Sequence, residues 1–147
     1  MQLGRLYSYF LVFIQFLLIS LLFVYANLNS LGFIQYLFIF IGLWIGDWAL
    51  YVMRESKLRI TPDVAKGAIL IKRGPYKYLR HPMYSAVLIF SFGLLVSNFY
   101  QTTLVFFILL FITLSFKIHY EEKLLNKSFE KYKAYSKKTN KLIPFIY

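Results

Sequence analysis

Leu6-Tyr7-Ser8-Tyr9-Phe10-Leu11-Val12-Phe13-Ile14-Gln15-Phe16-Leu17-Leu18-Ile19-Ser20-Leu21-Leu22-Phe23-Val24-Tyr25-Ala26 runs for 21 residues without a charge. A helix needs about 20 apolar residues to cross a bilayer core, so this stretch predicts a membrane span. The apolar core of a cleaved signal peptide is shorter, about 7–15 residues, and ends in small residues. Here the run is long and aromatic and meets the polar turn Asn27-Leu28-Asn29-Ser30, so a retained first span is expected.

The same reading extends along the 147 residues, of which 59% are hydrophobic and 21% aromatic. Soluble domains hold about 45–50% apolar residues, and the mean hydropathy here is +0.58. Further spans are expected over 31–52, 82–100 and 102–118, with a basic loop at 53–81 and an amphipathic tail at 119–147. The expected fold is all-α: one membrane-embedded domain over 1–147, with about four transmembrane helices and a C-terminal amphipathic helix. In the tail, Leu124, Leu125, Phe129, Tyr132 and Tyr135 recur at three- and four-residue spacing with lysines between them, the pattern of a surface-lying helix.

A net charge of +11 raises the question of nucleic acid, but its distribution argues for membrane topology instead. Eight basic residues lie in 53–81 and eight in 117–141, while the connections near Asn27–Ser30 and Asn98–Gln101 carry none. That is the positive-inside pattern. Four spans put both basic segments and both termini on one side, which the rule makes cytoplasmic; no nucleic-acid partner is expected. The lysines of the tail read first as a solvated face drawn to anionic lipid.

The chain has no cysteine and only His81 and His119, so thiol chemistry is excluded and a metal site is not expected. No phosphate-binding glycine loop and no nucleophile elbow is present. Asp47 interrupts the second span; its depth favours interfacial water or a pair with Arg54 over a functional role.

Two constellations remain. Gly74-Pro75-Tyr76-Lys77-Tyr78-Leu79-Arg80-His81-Pro82-Met83-Tyr84 joins the basic loop to the third span. Its Gly-Pro turn is expected to aim Tyr76 and Tyr78 at a common pocket, and Pro82 to open a helix with His81 near its cap. Backbone N–H groups at that helix start can bind an anion, and tyrosine faces can hold a sulfonium. On its residues alone the motif is better read as an aromatic, basic membrane border with His81 an ordinary cap. Glu121-Glu122 are two of only six acids. They point about 100° apart on a helix, so one can face a cavity while the other pairs with lysine. A Lys117–Glu121 pair at helical spacing is the plainer reading.

Taken in order, Gly74-Pro75-Tyr76, Arg80-His81-Pro82-Met83-Tyr84, Glu121-Glu122 and Phe129, Tyr132 and Tyr135 leading to Ile143-Pro144-Phe145-Ile146 resemble the isoprenylcysteine carboxyl methyltransferase family. That family is related to the integral-membrane phospholipid N-methyltransferases. The resemblance covers about Lys66 to Tyr147; the first two spans match in character only. It implies methyl transfer from S-adenosylmethionine to a lipid-like substrate at the membrane face. Carried over by position, Ala68, Ile69, Leu70, Ile71, Tyr76, His81, Pro82, Met83, Tyr84 and Glu121 surround the cofactor. Glu121 and Glu122 are the candidate catalytic acids, and Lys138 stands where the family has a substrate-binding arginine. Lysine lacks the bidentate fork that suits a carboxylate. Glu130 replaces the usual Gly or Pro, and Lys117 an arginine often seen four residues before the acids. These departures bear on the substrate more than on the cofactor.

Carboxyl O-methylation of an isoprenylcysteine-like acid is the expected reaction, with ethanolamine-phospholipid N-methylation as the alternative. A carboxylate of pKa about 3.5 is already ionised, whereas an amine near 10 needs a base, which either acid can supply. A non-enzymatic scaffold is the remaining reading, favoured if side chains fill the space between the motif and the acids.

Overall fold

The computed structural model describes residues 2–56 and 67–143. The proposed turn at Thr61-Pro62-Asp63, the basic residues Lys57, Arg59 and Lys66, and the tail from Pro144 onward lie outside the described residues. Among the described residues five α-helices form: α1 (Gln2–Tyr25), α2 (Phe33–Met53), α3 (Pro82–Ser97), α4 (Gln101–Ser128) and α5 (Tyr132–Ser136). Among the described residues there is no strand, only an isolated parallel bridge between Leu79 and Asn140.

Three helical stretches, Gly4–Tyr25, Phe33–Ser56 and Gln101–Ser128, are long and apolar enough to cross a membrane. At 16 residues α3 is shorter, about 24 Å against a core of about 30 Å. The fourth expected span is the longer one. Its helix does not end near 118 but carries Glu121 and Glu122 on to Ser128. The tail periodicity is divided: Phe129–Lys131 breaks the helix, and only Tyr132–Ser136 resumes it.

Large apolar side chains face outward along the long helices, among them Phe10, Phe13, Phe16, Phe33, Phe40, Leu43 and Phe111. In water such a surface would be a liability; against lipid tails it costs nothing. The protein is therefore a membrane protein. Inside, Leu18 and Leu22 of α1, Leu94 of α3 and Leu110 and Leu114 of α4 make a buried core.

The most intimate helix pair is α2 with α3. A Cβ on Gly42 would lie 2.7 Å from the Phe90 backbone N and 2.9 Å from the Ala86 carbonyl oxygen. Gly46, four residues on, faces Ala86. Small residues at this spacing let membrane helices approach backbone to backbone, where dispersion replaces the hydrophobic effect as the attraction. That seam sets where the start of α3 sits.

At the far turn, Asn98 Nδ2 donates to the Tyr25 carbonyl at 2.7 Å, and Thr103 Oγ1 accepts from the Tyr100 N–H while donating to the Asn98 carbonyl. These bonds satisfy backbone groups left open between α3 and α4.

Candidate functional site

The 74–84 motif begins as a 3-10 turn over Gly74–Lys77. Gly74 has φ +57°, in the left-handed region, and its α-carbon is set against Val52 and Trp48 of α2. Glycine suits both demands. The expectation that Tyr76 and Tyr78 share a pocket does not hold. Tyr76 is buried against Ala49, Val52 and Ile71, while Tyr78 points outward at 53% exposure. In a turn of about three residues, side chains two apart point about 120° from each other, so they diverge.

As expected, Pro82 opens α3 with His81 at its cap. The nearby backbone donors, however, serve the fold. Arg80 and His81 N–H groups donate to the Asn140 and Lys141 carbonyls, and those of Tyr84 and Ser85 to the His81 carbonyl. Ser85 Oγ donates to the Leu142 carbonyl at 2.6 Å, and Tyr135 Oη to the Tyr76 carbonyl at 2.6 Å. The tail is thus stitched back onto the motif.

Between the motif and the end of α4 lies a polar cluster. Tyr84 Oη donates to Glu121 Oε2 at 3.0 Å, and the Tyr84 ring stacks on His81. His81 Nδ1 is 3.5 Å from Glu121 Oε2 and its Nε2 is 3.4 Å from Glu122 Oε1. One imidazole therefore bridges both acids. Burial disfavours its charge, but Glu121 and then Glu122 outweigh that and raise the His81 pKa above its ordinary value. Arg80 Nε donates to Glu122 Oε1 at 2.7 Å, and its Nη1 holds the Ser136 and Thr139 carbonyls. The two acids do split into different roles, though Glu122 pairs with Arg80 and not with a lysine. Lys117 forms no ion pair with Glu121 among the described residues; its Nζ donates to Gln15 Oε1 and lies over the Tyr84 ring.

Tyr76 Oη is buried here without a hydrogen-bond partner, His81 Nε2 keeps Glu122 Oε1 at 3.4 Å without hydrogen-bond geometry, and Ser91 Oγ farther along α3 is also unbonded. Orphaned buried groups are rare, and a ligand or water is one way in which such bonding is completed. Burial, then the field of Glu121, raises the Tyr76 pKa, so its hydroxyl stays a donor. Burial likewise lifts Tyr135 to about 12.

The motif and the acids touch directly, and open space lies to one side. A cleft of about 450 Å³ is lined by Leu70, Lys72, Ser128, Phe129, Glu130 and Lys131. Of the expected cofactor residues, Tyr76, His81, Tyr84 and Glu121 gather in the cluster, Leu70 lines the cleft, and Ile71 packs behind Tyr76. Pro82 is buried at the helix start and Met83 packs beside Tyr76. Ala68 is partly exposed, and Ile69 is exposed, its backbone bonded to Ser56 Oγ. The Lys138 side chain is exposed and apart from the cluster, with no side-chain hydrogen bond or ion pair among the described residues. Nor does Asp47 pair with Arg54, which lies over the Tyr51 ring. No group of metal-ligating side chains forms among the described residues.

Reasoning from motifs overlooked Gln15, Tyr132 and the fixing role of Arg80. Gln15 was discernible as the one amide inside the first apolar run; Tyr132 Oη reaches Glu122 only through the chain reversal at 129–131.

Compared with curated proteins one by one, the chain matches none. The model of the isoprenylcysteine carboxyl methyltransferase family matches residues 48–127, from the end of α2 through the acidic pair. That stretch is more than half of the chain and contains the motif, α3 and both acids, so this membrane protein belongs to the isoprenylcysteine carboxyl methyltransferase family.

Proposed function

We propose that the protein transfers a methyl group from S-adenosylmethionine to a lipid-like acceptor that reaches the site from the bilayer. The reaction is carboxyl O-methylation of an isoprenylcysteine-like acid. The observation that carries this reading is the convergence of His81, Tyr84, Glu121 and Glu122 beside the buried, unpartnered hydroxyl of Tyr76. The residues suit the cofactor. Tyr76 Oη and His81 are donors for its carboxylate or hydroxyls, the aromatic faces tolerate a sulfonium, and Glu121 accepts from hydroxyl or ammonium groups. When bound, S-adenosylmethionine supplies a methyl on a sulfonium sulfur that keeps the electron pair of the broken carbon–sulfur bond.

The chain's own work is positioning. Arg80 fixes Glu122 and the tail, which closes the site against water. His81, held between the acids, orients Glu121 together with Tyr84. A carboxylate acceptor is ionised at neutral pH and needs alignment but no base. Lys138 remains the proposed partner for that carboxylate and would have to fold inward from its exposed position.

One observation favours phospholipid N-methylation as a second reading. Unlike Glu122, Glu121 has no guanidinium beside it, which leaves it able to take a proton from an amine. In either case four crossings with the cluster on the cytoplasmic side is the proposed topology, supported by the charge distribution. Titrating S-adenosylhomocysteine into the detergent-purified protein tests the cofactor reading. Micromolar affinity that weakens in Tyr84→Phe and Glu121→Gln is expected. No heat of binding up to about 1 mM, where binding is worth only about 4 kcal/mol, would overturn it. Lipid extracts from expressing cells separate the acceptors: mono- and dimethylated ethanolamine lipids point to the amine, prenylcysteine methyl esters to the acid.

A further inference from the structure

Lys117 is a buried charge that makes no ion-pair contact among the described residues; Glu121, one turn away, acts on it only from a distance. It is 2% exposed, on α4, and its Nζ donates to Gln15 Oε1 of α1 while lying 5.0 Å from the Tyr84 ring centroid. Gln15 is itself 7% exposed in the middle of α1. Both partners stabilise a cation without neutralising it. The ion pairs among the described residues are Arg73–Glu55, Arg80–Glu122 and His81 with the two acids; Lys117 is in none of them. If the pair served only to pack α1 on α4, two leucines would do so without desolvating a charge, a cost of several kcal/mol. An ionisable side chain within a span ordinarily marks a ligand path.

Its place says which ligand. Lys117 is one helical turn from Glu121 on the same face of α4, about 6 Å closer to the hydrocarbon. It therefore lies on the membrane side of the acid cluster, buried where α1 meets α4, at the depth the polar end of an amphiphile coming from the bilayer would reach. We propose that Lys117 and Gln15 form an anion-recognition site for the methyl acceptor, taking its carboxylate or phosphodiester oxygen within the membrane. The ammonium has further donors, and the glutamine amide adds two more. On this proposal α1, which lies outside the family match, contributes to acceptor specificity. Lys117 supplies the resident positive charge, which Lys138 would join only on folding inward from its exposed position. The inference rests on the methyltransferase reading.

The test compares binding of charged and neutral probes to the purified protein. One arm sets N-acetyl-S-farnesylcysteine against its methyl ester; the other sets phosphatidylethanolamine against diacylglycerol in mixed micelles. Wild-type protein should prefer the carboxylate- or phosphodiester-bearing member of one pair by about tenfold, the scale of one charge-assisted hydrogen bond, and the arm that responds names the source of the anionic group. Lys117→Met should abolish that preference and Lys117→Arg retain it, with S-adenosylhomocysteine affinity unchanged in both. Gln15→Leu should reduce the preference about threefold and carries the test if Lys117→Met does not fold. An undiminished preference in Lys117→Met, or in Gln15→Leu where that variant carries the test, overturns the proposal; so does the absence of any preference in wild type. Failure of wild type to bind S-adenosylhomocysteine instead overturns the methyltransferase reading.

Discussion

The start of α3 is held from two sides by opposite physics. On one side the α2–α3 seam is apolar and glycine-lined, with Gly42 against the Phe90 and Ala86 backbone. On the other, α4 and the tail grip it with Arg80–Glu122, His81 between the acids, and hydrogen bonds to main-chain carbonyls. The seam works by shape and does not respond to pH or salt. The polar side depends on charge state and on every partner being present. A methyl-transfer site needs both: a rigid wall to place the reacting atoms, and a face whose groups are free to exchange partners with a ligand.

Arg80→Leu should break the polar side most severely. It leaves Glu122 and two carbonyls without their donor, and losing one half of a largely buried pair costs about 3–5 kcal/mol. Limited proteolysis should then release the tail after Ser128 while α1–α4 remain protected; an unaltered digest would show that the tail is held elsewhere. Gly42→Leu attacks the other wall. Overpacking there should cost about 2–3 kcal/mol and lower the thermal unfolding midpoint equally at pH 6 and pH 9. A melt like wild type's would mean the helices are not in backbone contact.

Glu121→Gln keeps shape and removes charge. S-adenosylhomocysteine affinity should fall about tenfold, or about 1.4 kcal/mol, with the unfolding midpoint at pH 9 little changed, because Tyr84 can still donate to the amide oxygen. Equal affinity would remove Glu121 from the site. The pH response is gentler. Since the folded pKa of His81 is raised, its pairing with Glu121 and Glu122 stabilises fully below about pH 6.5, the unfolded value. That contribution is lost as pH rises through the folded pKa. Midpoints measured from pH 5.5 to 9 should decline in wild type and lose that step in His81→Phe. Lys138→Ala should have the smallest effect on stability, within about 0.5 kcal/mol as for exposed positions generally. Any larger consequence should be confined to methylation of a carboxylate acceptor.

Much of this was legible without coordinates. The uncharged runs implied membrane helices, since the bilayer's thickness sets their length. The order Gly74-Pro75-Tyr76, Arg80-His81-Pro82 and Glu121-Glu122 implied the family, which the match over residues 48–127 bears out. Local rules were poorer guides to partners. Spacing alone paired Lys117 with Glu121, yet Lys117 turns to Gln15, 102 positions away in sequence. Spacing also joined Leu124 to Tyr135 in one helix, but the chain must bend at 129–131 for Tyr132 and Tyr135 to reach Glu122 and Tyr76.

Hydrophobic length, charge asymmetry and motif order are properties of the chain itself, because the bilayer acts on each segment independently. From them came the membrane class and the family. Which acid Arg80 holds, that Tyr76 turns inward and Tyr78 outward, and that a glutamine of α1 meets a lysine of α4 were decided by tertiary structure. Each is a contact between distant segments, chosen because a buried donor or charge takes whatever partner packing brings within reach.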